Sequence, residues 1–370
     1  MCIRDSRPYR CASRGSGISN SPVSGSFRPK ASVVIYCRSD EETLMSALES
    51  VCSQDYPDYE VVVVCDAGME YAGYISELVE SRWPNVYVTF LQPGSHNLSR
   101  RKLANTIGIK AAKGEVVITT QANIKIPSDK WLSGMMEPFC GEQGRHVDVA
   151  LGLSHIDFKE LCGFGKWYRR FDSVLGDALW VGYAVCGHPY RGDCFNLALR
   201  RKVFFDHKGY ANNMYLLNGE DDVYLQEICN DANTRMVTSP DTVLTVEWGE
   251  ASNRIWTLRK ASYAFTSRWL PRTPFFLSGF TDLMQWLVPA LALAGAFLGK
   301  ECLWPAVSAC LIVAVLWTVD ILCYTRASRA FGIPGLSVAV PLLWMWRPVA
   351  NFVFKLAHIG TYKKNFTWQR

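Results

Sequence analysis

Between positions 31 and 120 the chain alternates short apolar runs with stretches of helical period. Residues 32–36, 60–65, 86–91 and 115–120 are rich in Val and Ile and too short for helices, so they read as buried strands. Ser39-Asp40-Glu41-Glu42 has the Ser-x-x-Glu spacing of a capping box, and Leu44, Leu48, Val51 and Cys52 form the inward face of the helix it starts. Ser99 caps a second helix reaching Lys113, and Gly114 hands the chain to the next strand. Strands alternating with helices at this spacing predict an α/β domain with a mostly parallel sheet flanked by helices. Beyond Pro127 the pattern loosens. It predicts a helix near 131–139, strands at 147–153, 196–200 and 235–237, and a helix over 223–230.

The character of the chain changes near Phe275. Residues 283–299 and 302–319 are uncharged apolar runs close to the length that crosses a bilayer, joined by Lys300-Glu301 in a tight hairpin. Arg326 and Arg329 follow the second run, so the positive-inside rule puts these residues and the preceding domain on the cytoplasmic side. A third run, 331–354, is broken by Pro334, Pro341 and Arg347-Pro348. It reads as an interfacial or re-entrant element rather than a clean span. Residues 1–30 are rich in Ser, Arg, Gly and Pro, lack the apolar core of a signal peptide, and read as disordered.

Charge narrows the partners. The net charge of +5 is scattered, except at Arg100-Arg101-Lys102 and Lys363-Lys364. There is no basic stripe of the kind a nucleic-acid binder presents; a membrane surface or a phosphate-bearing substrate fits better. Thirteen cysteines without a C-x-x-C pair, several inside apolar runs, indicate reduced, packed thiols and a cytoplasmic setting.

In parallel sheets ligands bind beyond the carboxyl ends of the strands. Three segments fall there: Arg38 to Glu41, Asp66, and Gln121-Ala122-Asn123. Far downstream, Glu220-Asp221-Asp222 concentrates three carboxylates, a pattern in which neighbours raise one pKa and make a better base. An acidic start to the helix after Asp222 would explain the same residues.

Several motifs together resemble glycosyltransferase family 2, inverting enzymes of GT-A fold. They are Ser32-Val33-Val34-Ile35 with Asp40-Glu41, Gln54-Asp55-Tyr56-Pro57, the run ending at Asp66, residues 102–115, Ile126-Pro127-Ser128-Asp129-Lys130-Trp131, and Gly219-Glu220-Asp221-Asp222. The likeness covers roughly 32–272, and the apolar tail suits membrane-bound bacterial members. The resemblance implies a nucleotide-binding half over 31–125 and an acceptor half over 126–275, ahead of the membrane region over 276–370 read from the apolar runs. It implies a nucleotide-sugar donor, UDP-linked by preference, contacted by Asp40, Glu41 and Asp66, with Lys102 near its phosphates. Asp221, with Glu220, would be the base that deprotonates the acceptor hydroxyl. Asp193, Asn196 and Asp222 would touch a lipid-linked or polysaccharide acceptor.

Two departures bear on activity. The family's Asp-x-Asp, which holds Mg²⁺ or Mn²⁺, is replaced by Gln121-Ala122-Asn123, whose amide oxygens are poorer ligands for a hard cation. The family's basic-aromatic stretch after the base reads Arg259-Lys260-Ala261-Ser262-Tyr263 here. The expectation is therefore a sugar transferase of the bacterial cytoplasmic membrane with a weakened metal site. A degenerate homologue that binds nucleotide or glycan, or serves membrane assembly, is the alternative.

Overall fold

The computed structural model describes residues 27–38, 41–66, 68–92, 99–158, 161–246, 252–298, 303–333, 335–336 and 339–358. Asp40 and the Ser39 cap, most of 1–30, the Lys300-Glu301 link and Lys363-Lys364 lie outside them.

Four strands follow the alternation read from the sequence: β1 (Ala31–Cys37), β2 (Tyr59–Cys65), β3 (Val86–Phe90) and β4 (Val116–Gln121). They pair in parallel in the order β3-β2-β1-β4. The helices between them are α1 (Glu41–Cys52), α2 (Met69–Glu80) and α3 (Arg100–Ala111). Strands β1 and β4 are buried on both faces, which is why they read as continuous apolar runs rather than alternating ones. Val33, Ile35 and Ile118 point to the face covered by α1, α2 and the helix α4 (Trp131–Met136). Val34, Val64 and Val117 point to the opposite face, against α3 and a long helix α5 (Gly163–Val185).

The sheet continues past β4 with β8 (Leu197–Arg200), β6 (Val149–Leu151) and β9 (Thr234–Met236). β8 runs antiparallel to both of its neighbours. A small second sheet joins β5 (Ile124–Lys125), β10 (Leu244–Val246) and β7 (Ser154–Ile156). The sequence did not announce it, because its strands are only two or three residues long. The predicted strand at 147–153 is realised only as β6, and the chain enters the second sheet beyond it, at Ser154. The predicted helix at 223–230 shrinks to a single turn, Leu225–Ile228.

The C-terminal part consists of α6 (Ser252–Thr266), α7 (Arg272–Leu298), α8 (Leu303–Ala330) and α9 (Val340–His358). Helices α7 and α8 are long and apolar enough to cross a membrane, and their apolar side chains are largely exposed. That exposure separates them from the core helices of a soluble protein. α9 is a continuous helix that carries Pro348. It buries Val340, Leu343 and Trp344 against α5 and α8, while Leu342, Trp346, Val349, Val353 and Leu356 form an outward apolar stripe.

Candidate active site

The strand register assembles the edge at which the sequence places the donor. Cys37 lies opposite Cys65 and Tyr36 opposite Gln121, so Asp66 and Gln121 emerge at the same end of the sheet, on the two strands that flank β1. Asp66 is almost enclosed. Its carboxylate accepts from the Tyr36 hydroxyl and the Arg100 guanidinium, and Arg38 approaches to 3.9 Å. Glu41 sits apart, exposed in the first turn of α1, where it accepts from the Tyr74 hydroxyl at 3.2 Å. That is an ordinary position for a carboxylate near a helix N-terminus.

Next to this edge Thr120 Oγ1, Gln121 Nε2 and Asn123 Nδ2 are buried and have no hydrogen-bond partner. Buried polar atoms are almost always satisfied, so the Gln121 and Asn123 amides are open to a polar partner at this edge, whereas Thr120, one residue before Gln121 in β4, faces the other side of the sheet. Their chemistry does not fit a hard divalent cation, which prefers anionic oxygens. Among the described residues no group of three or more His, Cys, Asp or Glu converges in a way that could hold a metal ion.

The acid cluster follows Gly219, whose φ of 109° takes a turn that other residues rarely adopt. Glu220, Asp221 and Asp222 are all buried. Arg101 donates to Glu220 Oε1 at 2.7 Å. Tyr263, from α6, donates to Asp221 Oδ2 at 3.1 Å. Asp222 is fully engaged: Val223 N donates to it at 2.6 Å, the Thr266 hydroxyl donates to its other oxygen, and Arg191 lies 3.6 Å away. Burial, then the charges of Asp222 and Glu220, push the Asp221 carboxyl well above the usual carboxylate range. Burial raises Asp222 as well, opposed by Arg191 and by its hydrogen bonds.

The first turn of α3 connects the two halves of the site. Arg100 reaches Asp66 and its neighbour Arg101 reaches Glu220, so the donor edge and the acid cluster flank one helix N-terminus. In sequence alone these arginines are indistinguishable from a solvated basic face. Their adjacency was the available signal. Tyr36, Arg191 and Tyr263 were likewise missed, because only the tertiary fold brings them to Asp66 and Asp221.

Lys102 is corrected by its placement. It is fully buried, and its ammonium donates to Asn213 O at 2.7 Å, Asn213 Oδ1 at 3.0 Å and Leu216 O at 3.1 Å. All three donors are consumed in tying α3 to the loop before the acid cluster, which leaves none for a phosphate. Burial lowers its pKa to about 8, opposed by the charges of Glu220 and Asp222.

Asp193 and Asn196 are corrected for the same reason. Asp193 accepts from Ser154 N and Oγ, from Phe195 N and from Arg259. Asn196 accepts from Trp131 Nε1 and donates to the carbonyls of Leu153 and Thr242. Both are buried joints between the two sheets, with no capacity left for a sugar. Asp222, enclosed by its own partners, is a support for Asp221 rather than an acceptor contact.

Comparison with known proteins gives the class. The sheet and its flanking helices have the GT-A-like architecture, and residues 21–155 match the profile of glycosyl transferase family 21. The motif resemblance points to family 2; what the two share is a glycosyltransferase domain. A mannosyltransferase from Pyrobaculum calidifontis, solved in complex with GDP-Man and Mn²⁺, is 18% identical with a TM-score of 0.50. The match covers 96% of this chain and 88% of that one, and carries the fold. Glucosyl-3-phosphoglycerate synthase from Mycobacterium tuberculosis, solved with Mn²⁺, UDP and its product, is 13% identical. It aligns over 64% of this chain and 78% of its own at a TM-score of 0.40, too distant to add to the argument. No curated protein matches the chain.

Proposed function

We propose that this protein transfers a sugar from a nucleotide-sugar donor, UDP-linked by preference, to a lipid-linked or polysaccharide acceptor. The transfer inverts the anomeric centre, on the cytoplasmic face of a bacterial membrane to which α7 and α8 tether the domain. The observation that carries this reading is the buried Glu220-Asp221-Asp222 cluster, set across the first turn of α3 from Asp66. A carboxyl whose pKa is pushed toward neutrality suits a general base at physiological pH. Asp221 would take the acceptor's hydroxyl proton as that oxygen attacks the anomeric carbon. Tyr263 would orient its carboxylate, and Arg101 would hold Glu220 away from it.

On the donor side Asp66, steadied by Arg100 and Tyr36, would accept hydrogen bonds from the nucleoside. Gln121 and Asn123 would donate to the diphosphate region. Mg²⁺ or Mn²⁺ is a poor match for those amides, so the donor's charge falls to protein cations and to the N-terminus of α3. The same two amides favour a second reading, a homologue that binds nucleotide or glycan without turnover. Retention of the buried acid cluster weighs against it, because three enclosed carboxylates are costly to keep without a task.

Calorimetric titration of the full chain with UDP- and GDP-sugars, with and without Mn²⁺, tests the proposal. The expected result is metal-independent binding accompanied by slow donor hydrolysis. Binding without hydrolysis or transfer would establish the degenerate reading. Tight binding only in the presence of Mn²⁺ would overturn the weakened metal site.

A further inference from the structure

A cavity of about 150 Å³ opens between α5, α6 and α9, with Tyr263 in its wall on the side of Asp221. Four cations, Arg191, Arg259, Lys260 and Arg347, line it together with two carboxylates, Asp172 and Asp177. Three of them are hydrogen-bonded to carboxylates. Arg259 donates to Asp193 at 3.1 Å, Lys260 to Asp172 at 2.7 Å, and Arg347 to Asp282 at 2.9 Å. Arg191 differs. It is buried, its guanidinium stacks on the Tyr263 ring at 3.8 Å, and its Nε and Nη2 have no hydrogen-bond acceptor. The nearest carboxylate, Asp222, is 3.6 Å from Nη2 and already accepts from Thr266 and Val223. A buried guanidinium with unsatisfied forked donors is a seat for a multi-oxygen anion.

The surroundings specify the anion's carrier. Trp180 and Trp256 supply flat apolar walls to the cavity, of the kind that pack against a sugar ring or a chain. Arg347 and Asn351 bring in α9, whose neighbouring face is the exposed apolar stripe from Leu342 to Leu356. A lipid chain lying along that stripe would bring its head group beside Arg347 and Asn351.

We infer that this cavity seats a phosphoryl group carried by the acceptor, with Arg191 as its principal contact, so that the acceptor's hydroxyl is delivered to the Asp221 side of Tyr263. The inference rests on the transferase reading above and adds the acceptor's chemical class. The phosphoryl group has two sources, a membrane phospholipid-type acceptor or a soluble sugar phosphate, and the test separates them.

The full chain in dodecyl maltoside micelles is titrated with dodecyl phosphate and with glucose 1-phosphate, and separately with UDP. Dodecyl phosphate is expected to bind without competing with UDP. Arg191→Gln should weaken it at least tenfold and Arg191→Lys by less, while UDP affinity stays within twofold. Should Arg191→Gln fail to fold, Asn351→Asp at the half-buried rim adds a carboxylate to the wall and should weaken dodecyl phosphate several-fold. Tighter binding of dodecyl phosphate assigns the site to a lipid; tighter binding of glucose 1-phosphate assigns it to a soluble acceptor. Absence of binding by both phosphates, displacement of either by UDP, or unchanged affinity in the variants overturns the inference. If UDP and UDP-sugars also fail to bind, the transferase reading falls with it; if they bind normally, only the phosphoryl site is lost.

Discussion

Replacing Asp221 with Asn should change activity and stability in opposite directions. As the proposed base, Asp221 supplies roughly a hundred- to ten-thousand-fold in rate, so Asp221→Asn should lose about 3 to 5 kcal/mol of transition-state stabilisation. Its folded-state carboxyl is pushed up to about 8, first by burial and then by Asp222 and Glu220. The folded protein therefore holds this proton over a pH range in which the unfolded chain, titrating near 4, has released it. The contribution to stability is complete below pH 4 and declines as pH rises toward 8, by about 1.4 kcal/mol per pH unit. Between pH 5 and pH 8 that amounts to ~2 to 4 kcal/mol, the lower figure applying where Asp222 shares the proton. The amide carries no charge and escapes the loss, and it still accepts from Tyr263. Thermal unfolding should show the variant nearly unchanged at pH 5 and stabilised by roughly 5 °C or more at pH 8. Turnover of a nucleotide sugar, measured on the same preparation, should be almost abolished at both. Turnover equal to that of the parent would remove Asp221 from the chemistry. An equal fall in Tm at both pH values would refute the account of its environment.

Two further substitutions test the residues reassigned to structure. Lys102→Met strands the carbonyls of Asn213 and Leu216 and the Asn213 amide oxygen, which should cost ~2 to 4 kcal/mol in urea unfolding while leaving UDP affinity within twofold; weaker nucleotide binding at unchanged stability would return Lys102 to the phosphates. Gly152→Ala places a methyl group 2.4 Å from the Asn196 side chain and 2.8 Å from its backbone oxygen, and should lower stability by ~1 to 3 kcal/mol, read as a drop in Tm. No loss would mean that Asn196 is free to move and available to a ligand after all.

The parallel half of the fold was legible because its strands are buried on both faces and so stand out as unbroken Val- and Ile-rich runs. The same legibility extended to Asp66 and Gln121, since the end of such a run is the end of a strand. Helix α5 went unread: its polar positions include Asp172 and Asp177, which look solvent-facing in sequence and in fact meet Lys260 and Arg259. The side-chain roles were the least legible. Arg100, Arg101 and Lys102 are consecutive, yet a helix turns each residue by about 100°, sending one to Asp66, one to Glu220 and one into the core. Residue type named the chemistry available, and only the helical phase distributed it.

The antiparallel strand β8 has a mechanical consequence. It hydrogen-bonds β4 on one side and β6 on the other, and the segment that feeds it, from Arg191 to Asn196, is pinned to the acid cluster by Gly192 N donating to the Asp221 carbonyl at 2.6 Å. The strand bearing Gln121 is therefore tied through β8 to the segment bearing Arg191, and that segment in turn to the acid cluster. A hinge that opened the cleft like a pair of jaws would have to tear those ties. For the proposed transferase, ligand entry and release would then fall to side chains and loops at the rim, whose motions would set the pace of turnover wherever chemistry does not.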